Sequence, residues 1–298
     1  MATDLHHPDV VLRDLQQQGH DTSGLGPVGV RPGLGDYLRQ LWDRRHFIWM
    51  DARQRVASQN SRNLLGNVWL VLRPMMDALF YFAIFGLVLQ IDRGIDNFPA
   101  FIIIGVLLFA ATSRALSQAP GTITAGRPMI RAFSFPRASI PIAAELRNSM
   151  QAFPAVVTML VMILVIPPHA SIAWTWFLLP PLLILQYVLN LGMRMVLARV
   201  GFHFPDTAQM MSFVSRVVMY TSGVLIPVTR FTERFPGLMP FIEANPLYQL
   251  LSIARDLLMD GTLAPLNSWL ILMAWAFGML ALGFLLFWRG EARYGADH

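Results

Sequence analysis

The chain has 298 residues, of which 55% are hydrophobic and only 14% charged, and its mean hydropathy is +0.48. So few charges fall far below the quarter or so found in soluble domains, which excludes a soluble globular class and points to a membrane protein. The net charge of +5 arises from 23 basic residues that are all arginine, and there is no cysteine; this excludes a lysine-bearing phosphate loop, Schiff-base chemistry, thiolate nucleophiles, disulfides and zinc–thiolate sites.

Residues 1–33 are polar and rich in breakers, with Gly19, Gly24, Gly26, Pro27, Gly29, Pro32 and Gly33 close together. Such a segment buries too little apolar surface to offset the entropy of ordering, so it reads as a disordered cytoplasmic tail. Over 34–58 the pattern becomes helical: Leu34, Tyr37, Leu38, Leu41, Trp42, Phe47, Ile48, Trp49 and Val56 approximate one face, with Arg39, Arg44, Arg45, Asp51, Arg53 and Arg55 mostly elsewhere. An aromatic, basic amphipathic helix of this kind lies in the headgroup layer, although the pattern also fits a soluble docking helix. No apolar stretch precedes about residue 64, so insertion is expected to use internal spans.

The remainder, 59–298, reads as one transmembrane domain. Spans are predicted at about 67–90, 98–117, 140–166, 173–198, 207–228 and 267–288, each near the ~20 residues needed to cross ~30 Å of hydrocarbon. An even number places both termini on one side. With the termini in the cytoplasm, 15 arginines fall inside, four outside (Arg93, Arg230, Arg234 and Arg255) and four within spans, which satisfies the positive-inside rule. The stretch 231–263 is too apolar for a wetted loop yet is cut by Pro236, Pro240 and Pro246. Two short re-entrant helices on the outer side, joined near Glu243 and Asn245, are expected there, a surface-lying helix being the alternative. The fold class is therefore an all-α integral membrane protein. It comprises six transmembrane helices per protomer, an amphipathic interface helix and re-entrant outer helices before the last span.

Several local signatures occur in a fixed order: Leu65-Gly66-Asn67-Val68-Trp69 leading to Pro74, then Phe135-Pro136-Arg137, then Asn245-Pro246-Leu247-Tyr248. Together with the interface helix, they make the chain from about Leu34 onward resemble the type 2 ABC exporter permeases, in the branch that exports O-antigen, teichoic acid and galactan. The resemblance implies a homodimer in a bacterial cytoplasmic membrane, clamped by two separate nucleotide-binding ATPase subunits and passing a polyprenyl-diphosphate-linked glycan outward. Cell-wall galactan is the substrate it favours. ATP and Mg would then be bound by the partner ATPase, with no cofactor, catalytic residue or metal site in this chain. It further implies coupling helices at 121–135 and 201–206, with Arg127, Met129, Arg131, Phe133, Arg137, Phe202 and Asp206 as contact residues. The loop from Arg114 to Arg137 carries four arginines and no acidic residue, which suits an acidic partner surface or an anionic lipid diphosphate. The positive-inside rule accounts for the same charges.

A charge inside a span needs a partner or water. Asp77 and Arg216 lie at matching depths of roughly 15 Å from the cytoplasmic side, ten and nine residues into their spans. They are expected to pair within a subunit or across a dimer, with Arg73 as a competing partner for Asp77. Glu145, Arg147 and Arg194 lie nearer the span ends, where snorkelling accounts for them. Glycan conduits offer aromatic faces to sugar rings. In the resembling family the first and fifth spans flank the conduit, which makes Phe80, Tyr81, Phe82, Phe85, Phe213 and Tyr220 candidates; packing explains such aromatics as well. The histidines show no ligand spacing, so metal chemistry is not expected, nor is nucleic acid a partner. Two other classes compete: a proton-coupled carrier using Asp77 or Glu145, and a membrane transferase using Asp92 and Asp96. No internal repeat supports the first. Arg93 between the two aspartates reads as ordinary solvated charge. A drug or lipid exporter of the same fold is a further alternative.

Overall fold

The computed structural model describes residues 33–59, 66–88, 95–132, 135–228 and 235–290. The tail 1–32, Phe133, Asp92 and Arg93 and the first residues of the expected re-entrant stretch lie outside them.

The described chain is helical, with no strand among the described residues. The interface segment forms two helices, α1 (Leu34–Asp43) and α2 (Arg45–Gln59), where a single helix is expected from the sequence. The break sits at Arg44. Arg45 folds back so that its Nη1 donates to the Trp42 carbonyl at 3.0 Å and its guanidinium stacks 5.1 Å from the Trp42 ring, capping the end of α1 with a cation. Tyr37 and Leu41 bury the inner face of α1, and the Tyr37 hydroxyl accepts the Ala138 N–H at 3.0 Å. The inner face of α2 is Ile48 and Ala52, packed on the long helix Ser139–Val165.

Five segments are long and apolar enough to cross a membrane. The first is α3 (Trp69–Phe82), prolonged by a π-turn over Ala83–Val88. α4 spans Phe98–Gln118, α6 Ser139–Val165, α7 Leu179–His203 after a 3₁₀ turn at Trp174–Leu178, and α11 Leu266–Arg289. These match the predicted spans closely, except that α7 continues to His203. They differ in their surroundings: 78% of the span in α4 is buried but only 6% of that in α3. The helix apolar on all sides is thus the centre of the protomer, and the first span hangs on its outside. α4 begins at an Asn97 cap whose side chain accepts the Ala100 N–H at 3.1 Å, with Pro99 in the first turn, where its missing N–H costs nothing.

Around α4 the core includes Ile102, Ile103, Ile104, Leu108, Met159, Ile163, Leu182 and Leu189. α7 and α11 run against each other so closely that side chains at their contact must be absent. A Cβ on Gly192 would collide with the backbone of Met279 and Leu280, and one on Gly283 with the Gly192 carbonyl. Small residues permit this backbone approach between membrane helices.

The expected span over 207–228 is realised differently. α8 (Thr207–Thr221) has 15 residues, about 22 Å of helix and short of the ~30 Å core. It stops where Gly223 turns left-handed at φ 67, and the polar groups just past its end find side-chain donors. Arg255 Nη2 donates to Gly223 O at 2.9 Å and Val224 O at 3.2 Å, while Asn245 Nδ2 donates to Ser222 Oγ at 2.9 Å. The following segment has the expected pair of short helices, α9 (Met239–Glu243) and α10 (Pro246–Arg255), joined at Ala244 and Asn245. A π-turn at Asp256–Asp260 ends on Gly261, with φ 64. Leu250, Leu251, Ile253, Leu257 and Leu258 of this segment are buried in the α4 core, and α10 packs on α4 and α11. A further short helix, α5 (Thr122–Ala132), links α4 to α6.

Candidate functional site

The residues expected to couple to an ATPase gather at one end of the bundle. α5 packs against both α6 and α7, and the exposed Arg127 of α5 places its guanidinium 6.0 Å from the ring of Phe202 at the end of α7. That cation–π contact joins the two stretches that the sequence treats as separate coupling elements. Asp206 is exposed beside them and Met129 is half-buried. Arg137 follows the buried Pro136, and Arg131 lies in the last turn of α5. Phe133 lies outside the described residues. The resulting surface is basic and aromatic, with Phe204 also exposed.

The six conduit aromatics separate into two groups. Phe80, Phe213 and Tyr220 are exposed on the protomer surface. Tyr81, Phe82 and Phe85 pack against the core, so packing claims part of their surface. Phe80 meets Tyr81 edge-on at 5.7 Å, Tyr81 meets Phe85 at 6.4 Å, and Tyr81 lies within electrostatic reach of Tyr220 and Asp77. Of the aromatics on the first and fifth predicted spans, only Tyr81 and Tyr220 are related in this way among the described residues.

Asp77 and Arg216 are both exposed, and among the described residues no ion pair joins them within the protomer. The register of α8 explains this. Ser215 is buried against α4, 2.7 Å from Ser113 Oγ, and that contact turns the next side chain outward.

The buried charges are elsewhere, and here the snorkelling account of Glu145 and Arg194 fails. Glu145 on α6 is 0% exposed and Arg194 on α7 is 1% exposed; Arg194 Nε donates to Glu145 Oε2 at 2.7 Å. Asn148 Nδ2 donates to Glu145 Oε1 at 2.9 Å and to the Ala111 carbonyl at 3.0 Å, while Arg114 Nε donates to Asn148 Oδ1 at 3.1 Å. The network ties α4, α6 and α7 together: Arg194 bonds the carboxylate directly, and Arg114 reaches it only through Asn148. At 0% and 1% exposure neither member of the pair reaches water, whereas snorkelling requires the charged head to do so.

At the opposite end, a cavity of about 600 Å³ is lined by Asp96, Asp256, Asp260, His169, Tyr248 and Arg255, among others. Burial, and then the nearby Asp260 carboxylate, push Asp256 up to about 6 against the opposing pull of Arg255. Burial and Asp96 push Asp260 the same way. Arg255 is lowered to about 9, chiefly by burial; its guanidinium also lies 3.5 Å from the Phe101 ring centre. The sequence places Arg255 among the outer-loop charges, and no spacing marks it as the cap of a distant helix. Among the described residues no group of three metal-binding side chains occurs.

No family model matches the chain. It is 24% identical over 201 residues to the O-antigen export system permease protein RfbA of Klebsiella pneumoniae, a match covering 67% of this chain and 75% of that one. It is 21% identical over 215 residues to the RfbA of Myxococcus xanthus, covering 72% and 81%. With the polysialic acid transport protein KpsM of Escherichia coli the identity is 22% over 204 residues, covering 66% and 75%. Over about two thirds of its length the chain is thus similar to permease proteins of O-antigen export and to a polysialic acid transport protein, in keeping with the family that its ordered motifs resemble.

Proposed function

We propose that this chain is the permease subunit of an ATP-driven exporter that carries a lipid-diphosphate-linked polysaccharide across the bacterial cytoplasmic membrane. The observation that carries the reading is the extended similarity to O-antigen and polysialic acid permeases, joined to five helices able to cross a bilayer. The coupling end supports a separate ATPase: α5 and the end of α7 meet through Arg127 and Phe202, forming one basic, aromatic surface on which a nucleotide-binding subunit holding ATP and Mg would dock.

The arginine asymmetry supports cytoplasmic termini. α8 serves as a sixth crossing, lengthened by residues 222–228, where Arg255 satisfies the carbonyls of Gly223 and Val224; α9 and α10 lie re-entrant at the outer side, shielded by α4 and α11. The exposed face of α3 supports a second copy of the chain. Phe80, Phe213 and Tyr220 would then line a glycan path between the copies, and Asp77 of one would meet Arg216 of the other.

The test is co-purification with a co-expressed nucleotide-binding ATPase subunit, followed by ATP hydrolysis and glycan export with Arg127→Glu. A stable complex whose coupled hydrolysis and export both fall supports the reading. A chain that binds no ATPase and still moves substrate overturns it.

A further inference from the structure

The cavity of about 600 Å³ at the end opposite the coupling surface has no part in the proposed ATPase contact or aromatic path, and its charges do not balance. Asp256 and Asp260 line it from the π-turn after α10, and Asp96 from the position before the Asn97 cap of α4. Among the described residues the other titratable groups on its wall are His169, from the loop between α6 and α7, and Tyr248 and Arg255 of α10; Glu243 of α9 lies within electrostatic reach of Tyr248. Arg255 is the permanent cation of this set, and its bonds go elsewhere. Its Nη2 donates to the carbonyls of Phe101, Gly223 and Val224, its Nε is buried without a partner, and no ion pair joins it to a carboxylate among the described residues. The His169 imidazole is bonded to the Leu164 carbonyl at 2.9 Å. Three carboxylates thus share one cavity with no cation committed to them.

The two sides of the π-turn pull in opposite directions. On the inner side Leu257 and Leu258 are fully buried, the Thr175 hydroxyl donates to the Leu257 carbonyl at 2.7 Å, and the Thr262 N–H donates to the Asp256 carbonyl at 3.0 Å. On the cavity side like charges meet: Asp260 acts on Asp256, and Asp96 acts on Asp260 across the gap between the two elements. Asp96 is held in place by its neighbour, since Asn97 is bonded both to the Ala100 N–H, at 3.1 Å, and to the Pro168 carbonyl, at 2.6 Å. Neighbouring carboxylates oppose one another's ionisation, and a protonated one donates a hydrogen bond where an ionised one only accepts. Helices use π-turns sparingly and often at functional positions.

We propose that Asp96, Asp256 and Asp260 form a pH-operated latch at this end of the bundle: while they carry protons the π-turn closes on the start of α4, and as they ionise it parts from it, with Arg255 still holding α10. Asp256 titrates near 6 in the folded chain against 3.8 for the free group, so the closed turn binds its proton more tightly than an opened one does, and closure is lost as pH rises through about 6. The latch rests on the cavity alone; that its release alters transport rests on the exporter reading.

Hydrogen–deuterium exchange of the full chain in lipid nanodiscs tests the latch without a transport assay. Between about pH 5 and about pH 8, after correction for the intrinsic exchange rate, opening at amides 256–260 of the wild type is expected to rise about tenfold, the factor that a shift from 3.8 to about 6 gives over that interval. Amides of α10 should not follow. Asp256→Asn with Asp260→Asn should remove the rise, Asp96→Asn should reduce it, and His169→Gln should leave it unchanged. No rise in the wild type, an equal rise along α10, a rise that survives in the double variant, or one that is lost with His169→Gln overturns the latch. If the double variant does not fold, Asp96→Asn decides, and a rise it leaves whole overturns the latch. The exporter reading is untouched by any of these outcomes, because it stands or falls on ATPase association, measured separately.

Discussion

Glu145 and Arg194 illustrate how a buried pair constrains a protein that cannot hydrate it. Removing one partner strands a charge at a site without water, a loss of roughly 3–5 kcal/mol in comparable buried pairs, whereas replacing both with apolar groups of similar size is often neutral. Glu145→Ala is therefore expected to lower the thermal unfolding temperature in detergent sharply, and Glu145→Leu with Arg194→Met to restore most of it; equal losses in single and double variants would refute the pairing. Asp256 makes a different prediction. Its folded carboxyl titrates near 6 against 3.8 for the free group, so the folded state holds that proton more tightly than the unfolded chain does. The stability it contributes is complete below pH 3.8 and is lost as pH rises through about 6. Asp256→Asn should unfold at a higher temperature than wild type at pH 7 and at the same temperature near pH 4. The Glu145 pair was partly legible. The residues lie six positions inside α6 and nine from the end of α7, about 9 and about 13 Å deep at one end of the bundle. The depth argument used for Asp77 and Arg216 applies equally to them. Burial decides between the two pairs, and burial depends on neighbours that the sequence of one helix does not name.

Among the elements, the spans were the most legible, since hydropathy over twenty residues reports directly on crossing a bilayer. α8 was not. An apolar run through Val228 looks continuous in sequence, but the helix gives way to a left-handed glycine, and the carbonyls beyond it are held by Arg255, more than thirty residues away. The break at Arg44 was hidden for a related reason, because Arg45 caps its own predecessor through a side chain. The α7–α11 contact supplies a test with an internal control. Gly283 abuts the Gly192 carbonyl, whereas Gly278, on the same helix, has nothing within 4 Å of the point where a Cβ would stand. Gly283→Leu is expected to abolish recovery of folded protein by size-exclusion chromatography. Gly278→Leu should leave it near wild type, and equal tolerance of both would mean the helices do not meet at this register.

At the scale of the molecule, the order of motifs and the similarity to permeases support the exporter class, while of the expected coupling residues the structure brings Arg127 and Phe202 together, where two elements meet. Asp77 and Arg216 are both exposed, so their pairing depends on a second copy. Asp77→Arg and Arg216→Asp should each abolish export, with the double exchange recovering part of it; no recovery rules out the proposed contact between copies. Arg255 has a mechanical consequence. One side chain holds the start of α4 through the Phe101 carbonyl and ring, the turn after α8 through Gly223 and Val224, and its own helix α10. Those three segments are riveted at a single point, so any widening of this end of the bundle must bend the chain elsewhere. The π-turn at Ala83–Val88, on the loosely packed α3, is the joint suited to that bending.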